Sequence, residues 1–275
     1  MITLNNIFQT KQQEVVQLYA PTRDFVGALT AQDSSGLIAE YKRSAPSVGD
    51  INLTVSVESA VQSYQAQGAA CLSILTDETY FKGDLNFIQR AKAASHLPVL
   101  RKDFIIDSIQ VYQSKLAGAD AILLIAALLT DQQLQVYTGL AHSLHMQVLL
   151  EVHDATELQR ALLAQPDLIG MNSRNLKTMQ VDTNIFKELI TQVPAGTKVI
   201  AESGLTNLQE VAELKTLGFT GALMGTHLMQ NLWNRFSKSV ELPMKPMRWL
   251  PLKPVWLILV MCWIIVLVHV LLPQL

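Results

Sequence analysis

PVLRKDFIIDSIQVYQSKLAGADAILLI, residues 98–125, sets two short apolar runs on either side of a segment with helical period. The first run ends at Lys102 and the second at Ile125, and both are rich in residues that suit a buried strand. Between them Asp107 can cap a helix on which Ile109, Tyr112 and Leu116 share a face, and Gly118 can end it. Strand, helix and strand in so short a span make a parallel βαβ unit.

The same unit recurs in both directions. Further runs are LIAEYK ending at Lys42, CLSIL at Leu75, VLLE at Glu151, LIGMN at Asn172, KVIAE at Glu202 and GALMG at Gly225. After the fifth strand Asp154 and Glu157 have capping-box spacing, as do Thr206 and Gln209 after the seventh, where Gly218 closes the helix. Eight strands alternating with helices predict an α/β fold with a parallel sheet, and eight units are the number that closes a (β/α)8, or TIM, barrel. An open doubly wound sheet is the alternative, weakened because no G-x-G-x-x-G or G-x-x-x-x-G-K follows the first strand.

The 275 residues carry 21 Lys and Arg against 23 Asp and Glu, a formal charge of -2, which argues against a nucleic-acid binder. Cys71 and Cys262 lie far apart in unlike surroundings, so neither a disulfide framework nor a thiolate metal site is expected. His142 and His145 are three apart in a helical stretch, but without a third ligand at suitable spacing they read as surface or core, and no metal is expected. His153, just past Glu151, reads as a loop residue.

Charged residues make up only 16% of the chain and its mean hydropathy is +0.24, high for a soluble enzyme. The cause is local: residues 255–272 read VWLILVMCWIIVLVHVLL, with His269 the one polar residue. As a helix this run rises about 27 Å, close to the thickness of a bilayer's hydrocarbon core. Lys245, Arg248 and Lys253 precede it, so a membrane anchor would leave the bulk of the chain cytoplasmic. A helix buried in an oligomer, or an anomalous appended frame, is the alternative. The expected organisation is an amino-terminal helical extension over 1–35, a barrel over 36–238, a Pro-rich basic linker over 239–254 and the apolar segment over 255–272. The first twenty residues lack the continuous apolar core of a secretory signal.

In such a barrel, catalytic groups project from the carboxyl ends of the strands into one mouth. Here those ends supply Glu40, Lys42, Lys102, Glu151, Asn172 with Arg174, Glu202 with Ser203, and Gly225 with Thr226. Glu40 and Lys42, two apart, point to the same side, and a lysine among carboxylates stays protonated and can act as a general acid. Solvated strand-end ion pairs are the plainer reading of any one such pair. Ser203-Gly204 and Gly225-Thr226 fall after the seventh and eighth strands, where barrels of this kind bind phosphate; each dipeptide could equally be a simple turn.

Six segments carry a resemblance to a known family: IAEYKRSAPSVGDI (38–51), LSILTDETYFKGDLNFI (72–88), the opening stretch 98–125, LLEVHD (149–154), IGMNSRNLKTMQVD (169–182) and IAESGL (200–205). In this order they resemble indole-3-glycerol-phosphate synthase, the ring-closing carboxy-lyase of tryptophan biosynthesis. KQQEVVQL resembles a shortened form of that family's amino-terminal helical extension.

The resemblance implies a small phosphorylated substrate, 1-(2-carboxyphenylamino)-1-deoxyribulose 5-phosphate, and no cofactor. By position Lys102 resembles the general acid and Glu151 its acid/base partner in dehydration. Lys42 resembles a phosphate contact that also shuttles a proton, Glu40 a support for Lys102, and Asn172 and Glu202 the rest of the catalytic polar ring. Arg174 resembles a contact at the anthranilate end. Phe81, Phe104, Leu123, Leu176 and Leu223 resemble an apolar slot for the aromatic ring, and Ser203, Gly204, Gly225 and Thr226 a phosphate cradle. Ala45 and Val48 stand where the family has a serine and a base, which predicts weaker substrate binding. A catalytically weak, membrane-tethered scaffold is the alternative of another class. The sister isomerase of the same pathway would want a Cys/Asp pair at strand ends, and neither Cys lies at one.

Overall fold

Runs of Val, Ile and Leu with few polar interruptions can pair only where both faces of a sheet are covered, and the chain satisfies this by closing the sheet on itself. A computed structural model describes residues 3–175 and 178–232. Its strands are β1 (Leu37–Tyr41), β2 (Ser44–Ala45), β3 (Gly49–Asp50), β4 (Cys71–Leu75), β5 (Val99–Lys102), β6 (Ala121–Ile125), β7 (Gln147–Val152), β8 (Leu168–Asn172), β9 (Val199–Glu202) and β10 (Gly221–Met224). Strand β1 and strands β4 to β10 form a closed parallel barrel in chain order, with β10 returning to β1, while β2 and β3 make a small antiparallel ribbon. Every barrel strand falls on a run read from the sequence, and the open-sheet alternative is excluded by closure.

The helices are α1 (Leu4–Tyr19), α2 (Phe25–Thr30), α3 (Val57–Ala66), α4 (Glu78–Phe81), α5 (Asn86–Ala94), α6 (Ser108–Leu116), α7 (Asp131–Ser143), α8 (Ala155–Leu163), α9 (Asn184–Ile190) and α10 (Leu208–Thr216), with helical backbone again at 226–232. Two apolar layers result. Ile38, Cys71, Leu100, Leu123, Leu149 and Ile200 pack inside the barrel, and Phe25, Val26 and Leu29 of α2 join that cluster. The outer layer lies between the strands and the helices and includes Tyr64, Ile88, Val111, Leu134 and Leu158.

At the rim of the strands' amino ends, the fully buried Asp120 ties down the chain that leads into α2. It accepts from the backbone N–H of Arg23 at 2.8 Å and of Val99 at 2.9 Å, and from the Lys92 ammonium. The Arg23 guanidinium in turn donates to the carbonyls of Ser95, Leu97 and Lys92. That rim serves cohesion and leaves the opposite one for chemistry.

Three local expectations need correction. Ile109, Tyr112 and Leu116 share a face of α6, but it is the outward one; Val111, Ser114 and Lys115 are the buried positions. The buried Arg101 lies beneath this helix and donates to the Gln110 carbonyl and the Ser114 hydroxyl, which sets the helix's rotation. The cap of α10 sits one residue later than read: Asn207 accepts from the Glu210 N–H, and the Glu210 carboxylate reaches back to the Thr206 N–H. His145 is not helical. It follows α7 with φ of +61°, while His142 pairs with Asp167 at 2.8 Å.

Leu176, the 239–254 linker and the 255–272 segment lie outside the described residues. Among the described residues no helix is long and apolar enough to cross a membrane.

Candidate active site

Inward-facing positions alternate along a strand, so an ionisable residue at a strand's last inward position meets its counterparts from the other strands at the mouth. Glu40 on β1, Lys102 ending β5, Glu151 on β7, Asn172 ending β8 and Glu202 ending β9 converge in this way. Lys102 Nζ lies 3.1 Å from Glu151 Oε2 and 3.7 Å from Glu202 Oε2. Asn172 Nδ2 donates to Glu151 Oε1 at 3.1 Å, and its Oδ1 accepts from the Ser203 hydroxyl at 2.7 Å and the Arg174 N–H at 3.0 Å. The mouth is therefore one connected network and not a set of solvated surface pairs.

Glu40 stands slightly apart. Its Oε1 pairs with Lys42 Nζ at 3.0 Å, and its Oε2 accepts from the Ser73 hydroxyl at 3.3 Å. The support for Lys102 read for Glu40 is thus a charge acting through space, because the cation Glu40 touches is Lys42. Gly225 makes this arrangement possible, since a Cβ there would lie 2.4 Å from Glu40 Oε1.

Burial opposes the charged form of Lys102, but the carboxylates of Glu151, Glu202 and Glu40 outweigh it and hold its pKa above the ordinary lysine value. Burial likewise disfavours ionised Glu151, yet the Lys102 charge, His153 and the Asn172 amide keep its pKa well below the usual carboxylate range. Glu202 goes the other way: burial and then the negative charge of Glu151 push it up to about 8. Two carboxylates driven in opposite directions beside one ammonium form a set able to give and take protons near neutral pH.

Flanking features complete the mouth. Ser203 and Gly204 have φ of +70° and +77°, consecutive left-handed residues that turn the chain sharply after β9. A Cβ on Gly204 would come within 2.8 Å of Val181 Cγ1, so both the conformation and the close approach call for glycine. Helical backbone starts at Thr226 directly after Gly225. Phe81, at the end of α4, and Phe104, in the loop after β5, sit with ring centroids 6.0 Å apart. Arg174 is half-buried and donates to the Met179 carbonyl at 3.0 Å.

One apolar residue lies deeper than read. Leu123, 1% exposed, pairs in register with Leu149 inside the barrel, whereas Ile125 stands level with Glu151. Leu223 pairs in register with Glu202 and so stands at the level of the mouth. Ile125 and Ser73 were missed, and so was the place of His153, whose ring contacts Glu151. Ile125 and His153 each lie two residues along the strand from a residue that was read, so the i, i+2 rule would have found them.

Ala45 is buried in the β2–β3 ribbon, where the neighbouring Ser44 hydroxyl donates to the Gly49 carbonyl, and Val48 is 54% exposed. A cleft of about 700 Å³ opens at the far rim, among Asp24, Gln147, Asp167 and Lys198. It lacks the fully buried carboxylates and the bridging lysine of the mouth, which remains the candidate site. Among the described residues no group of three or more His, Cys, Asp or Glu is placed to hold a metal ion.

Comparison with known proteins adds to this geometry. The family model described as Indole-3-glycerol phosphate synthase matches residues 3–238. An indole-3-glycerol phosphate synthase from Polaromonas naphthalenivorans is 46% identical over 212 residues, covering 76% of this chain and 81% of that protein. One from Acidithiobacillus ferrooxidans is 45% identical over 221 residues, with 79% and 84% covered. Among solved structures, an N-acetylmannosamine-6-phosphate 2-epimerase from Clostridium perfringens superposes with a TM-score of 0.58 at 16% identity, covering 79% of this chain and 96% of that one. A mutant tryptophan synthase alpha-subunit from Pyrococcus furiosus gives 0.57 at 12% identity, with 76% and 94% covered. At such identities these two likenesses speak to the fold alone.

Proposed function

The chain belongs to the indole-3-glycerol phosphate synthase family, and from that premise we propose how its mouth closes the indole ring. The activity is that of a carboxy-lyase of tryptophan biosynthesis. Lys102 donates a proton to the carbonyl oxygen of the ribulose moiety as the ring carbon bearing the carboxylate attacks the carbonyl carbon. The new carbon–carbon bond forms, carbon dioxide leaves, and its bonding electrons restore the aromatic ring. The hydroxyl so produced then departs as water, with Glu202 or the recharged Lys102 supplying the proton, while Glu151 takes the proton lost from the neighbouring carbon. Phe81, Phe104, Leu123, Leu176 and Leu223 receive the aromatic ring.

A substrate with an anion at each end must be held at both for its flexibility to be converted into proximity. Arg174 suits the carboxylate as a fork donor. Ser203, Gly204, Gly225, Thr226 and Lys42 suit the phosphate, supported by the turn after β9 and the helical start at 226. Ala45 and Val48 leave the first loop without a hydroxyl and a charge, which weakens that grip without touching the strand-borne groups.

The observation that carries this reading is the Lys102 ammonium lying between Glu151 and Glu202 at 3.1 and 3.7 Å. Lys102→Met, with folding verified by circular dichroism, should lose about 10²-fold or more in turnover followed by indole fluorescence, the size of effect general acid catalysis supplies. A folded variant within threefold of the parent would overturn the assignment.

The segment 255–272 supports a second, separate reading, in which it anchors the barrel to the cytoplasmic face of a membrane. Its length, apolarity and preceding basic residues favour it. The full chain should then sediment with membranes and require detergent for extraction, whereas a chain ending at residue 240 should remain soluble and active. Recovery of the full chain in the soluble fraction without detergent would contradict anchoring.

A further inference from the structure

His153 follows β7; its Nδ1 meets Glu157 Oε2 at 3.0 Å, and its buried Nε2 makes no hydrogen bond but lies at ion-pair distance, 3.3 Å, from Glu151 Oε1. The His153 backbone N–H donates to the same Glu157 oxygen at 2.8 Å, so ring and main chain are clamped together. Glu157 is fixed in its turn, because Asp154, the cap of α8, accepts from its N–H at 2.8 Å. The contact falls on the Glu151 oxygen that Asn172 also reaches, and leaves Oε2 to Lys102. The imidazole is largely buried, its side chain 12% exposed, and the charged groups facing it are Glu151 on the preceding strand and Glu157 on the next helix.

We propose that His153 is a positioning residue of the synthase reaction: bridged between Glu151 and Glu157, its cationic ring turns the Glu151 carboxylate toward Lys102 and keeps it ionised until it takes a proton. The inference rests on the role given to Glu151 above. A neutral imidazole with its proton on Nδ1 serves Glu157 as a donor and leaves a bare nitrogen facing the Glu151 carboxylate, whereas an imidazolium also sets a positive charge at ion-pair distance from it. Burial disfavours the cation, but the two carboxylates outweigh it and raise the ring's pKa to about 9, so the bridge is charged at neutral pH. Glu157 has no contact with the mouth's other charges in this network; its part is to hold the ring.

The test is the pH profile of kcat and kcat/KM for the parent and for His153→Gln and His153→Asn, which keep a donor and discard the charge. Both variants should move the acidic limb up by about one pH unit and lower kcat at neutral pH about tenfold, with KM within about twofold. Should they fail to fold, Glu157→Gln leaves the ring in place but removes one carboxylate. Its kcat should fall as pH rises through the neutral range, where the parent's is flat, and the His153 ring proton resonance should titrate at lower pH than in the parent. Folded His153 variants whose profiles overlay the parent's, or a Glu157→Gln profile that stays flat, would overturn the inference. Glu151→Gln separates the two levels. If it silences turnover while the His153 profiles are unchanged, only the positioning role fails; if it leaves turnover within threefold, the role of Glu151 fails and this inference with it.

Discussion

Gly170 lies mid-strand in β8 with an ordinary backbone, and the space its missing side chain leaves is filled by the Glu202 carboxylate: a Cβ there would lie 2.1 Å from Glu202 Oε1. That oxygen is buried without a hydrogen-bond partner, so it is the proton on the carboxyl, and not a donor beside it, that makes its burial tolerable. Gly170→Ala should destabilise the barrel by roughly 1–3 kcal/mol, as overpacking a filled interior does. It should also lower turnover about tenfold or more by displacing Glu202, and urea denaturation with indole fluorescence will measure the two effects. An alanine variant matching the parent in both would mean that Glu202 can occupy another rotamer at no cost. Single residues of this kind are legible in sequence only in part. The Glu at the end of a strand is visible, but the glycine on the neighbouring strand that admits it is not, because they meet across a register that only the closed sheet defines.

At the scale of elements, the strands' two ends have divided their work. The carboxyl ends hold charges against one another, and the amino ends are sealed by Asp120, Arg23 and Lys92 together with α2 beneath the barrel. Asp120→Ala would strip partners from two backbone N–H groups and from Lys92. The expected cost is about 3 kcal/mol, the scale for breaking a buried charged network by removing one partner. The folded fraction should keep its turnover, because the mouth lies at the opposite rim. A variant as stable as the parent in urea would show that water replaces the carboxylate there. The helices' start signals were mostly legible: Asp107 and Gln110 form the full capping box at α6, and Asp154 caps α8. Where the reading slipped, at α10, two adjacent polar residues offered alternative caps, and the longer reach of Glu210 decided between them. The rotation of α6 could not be read, because its outward stripe of Ile109, Tyr112 and Leu116 is as apolar as many inward ones.

For the whole molecule, stability should depend on pH in a direction that the mouth dictates. His153 is raised from 6.5 to about 9 and Glu202 from 4.5 to about 8, so the native state holds protons that the unfolded chain has released. Their contributions are complete below the unfolded values and are lost as pH rises through the folded ones. Glu151, lowered from 4.5, acts oppositely: its contribution is present above that value and is lost in acid. The urea midpoint should therefore fall between pH 6.5 and 9, and His153→Gln should flatten part of that slope. A midpoint that rises across this range would contradict the protonation pattern assigned to the site.

Local composition and spacing were enough for the eight barrel strands, their ends, the helices between them and the ionisable residues at one mouth, because buried parallel strands and capped helices are written in them; the β2–β3 ribbon was not. The sequence's six family-like segments also carried the correct family. Tertiary structure alone decided which carboxylate is charged. Glu151 and Glu202 are the same residue type at equivalent strand ends, and their difference comes from neighbours on other strands: Lys102, Asn172 and His153 around one, Gly170 and a negative charge beside the other. Depth within the barrel, which puts Ile125 level with Glu151 and Leu123 below it, was likewise set by closure and register. Local pattern specifies what a strand presents, but proton affinity depends on distances between strands that only the closed barrel brings together.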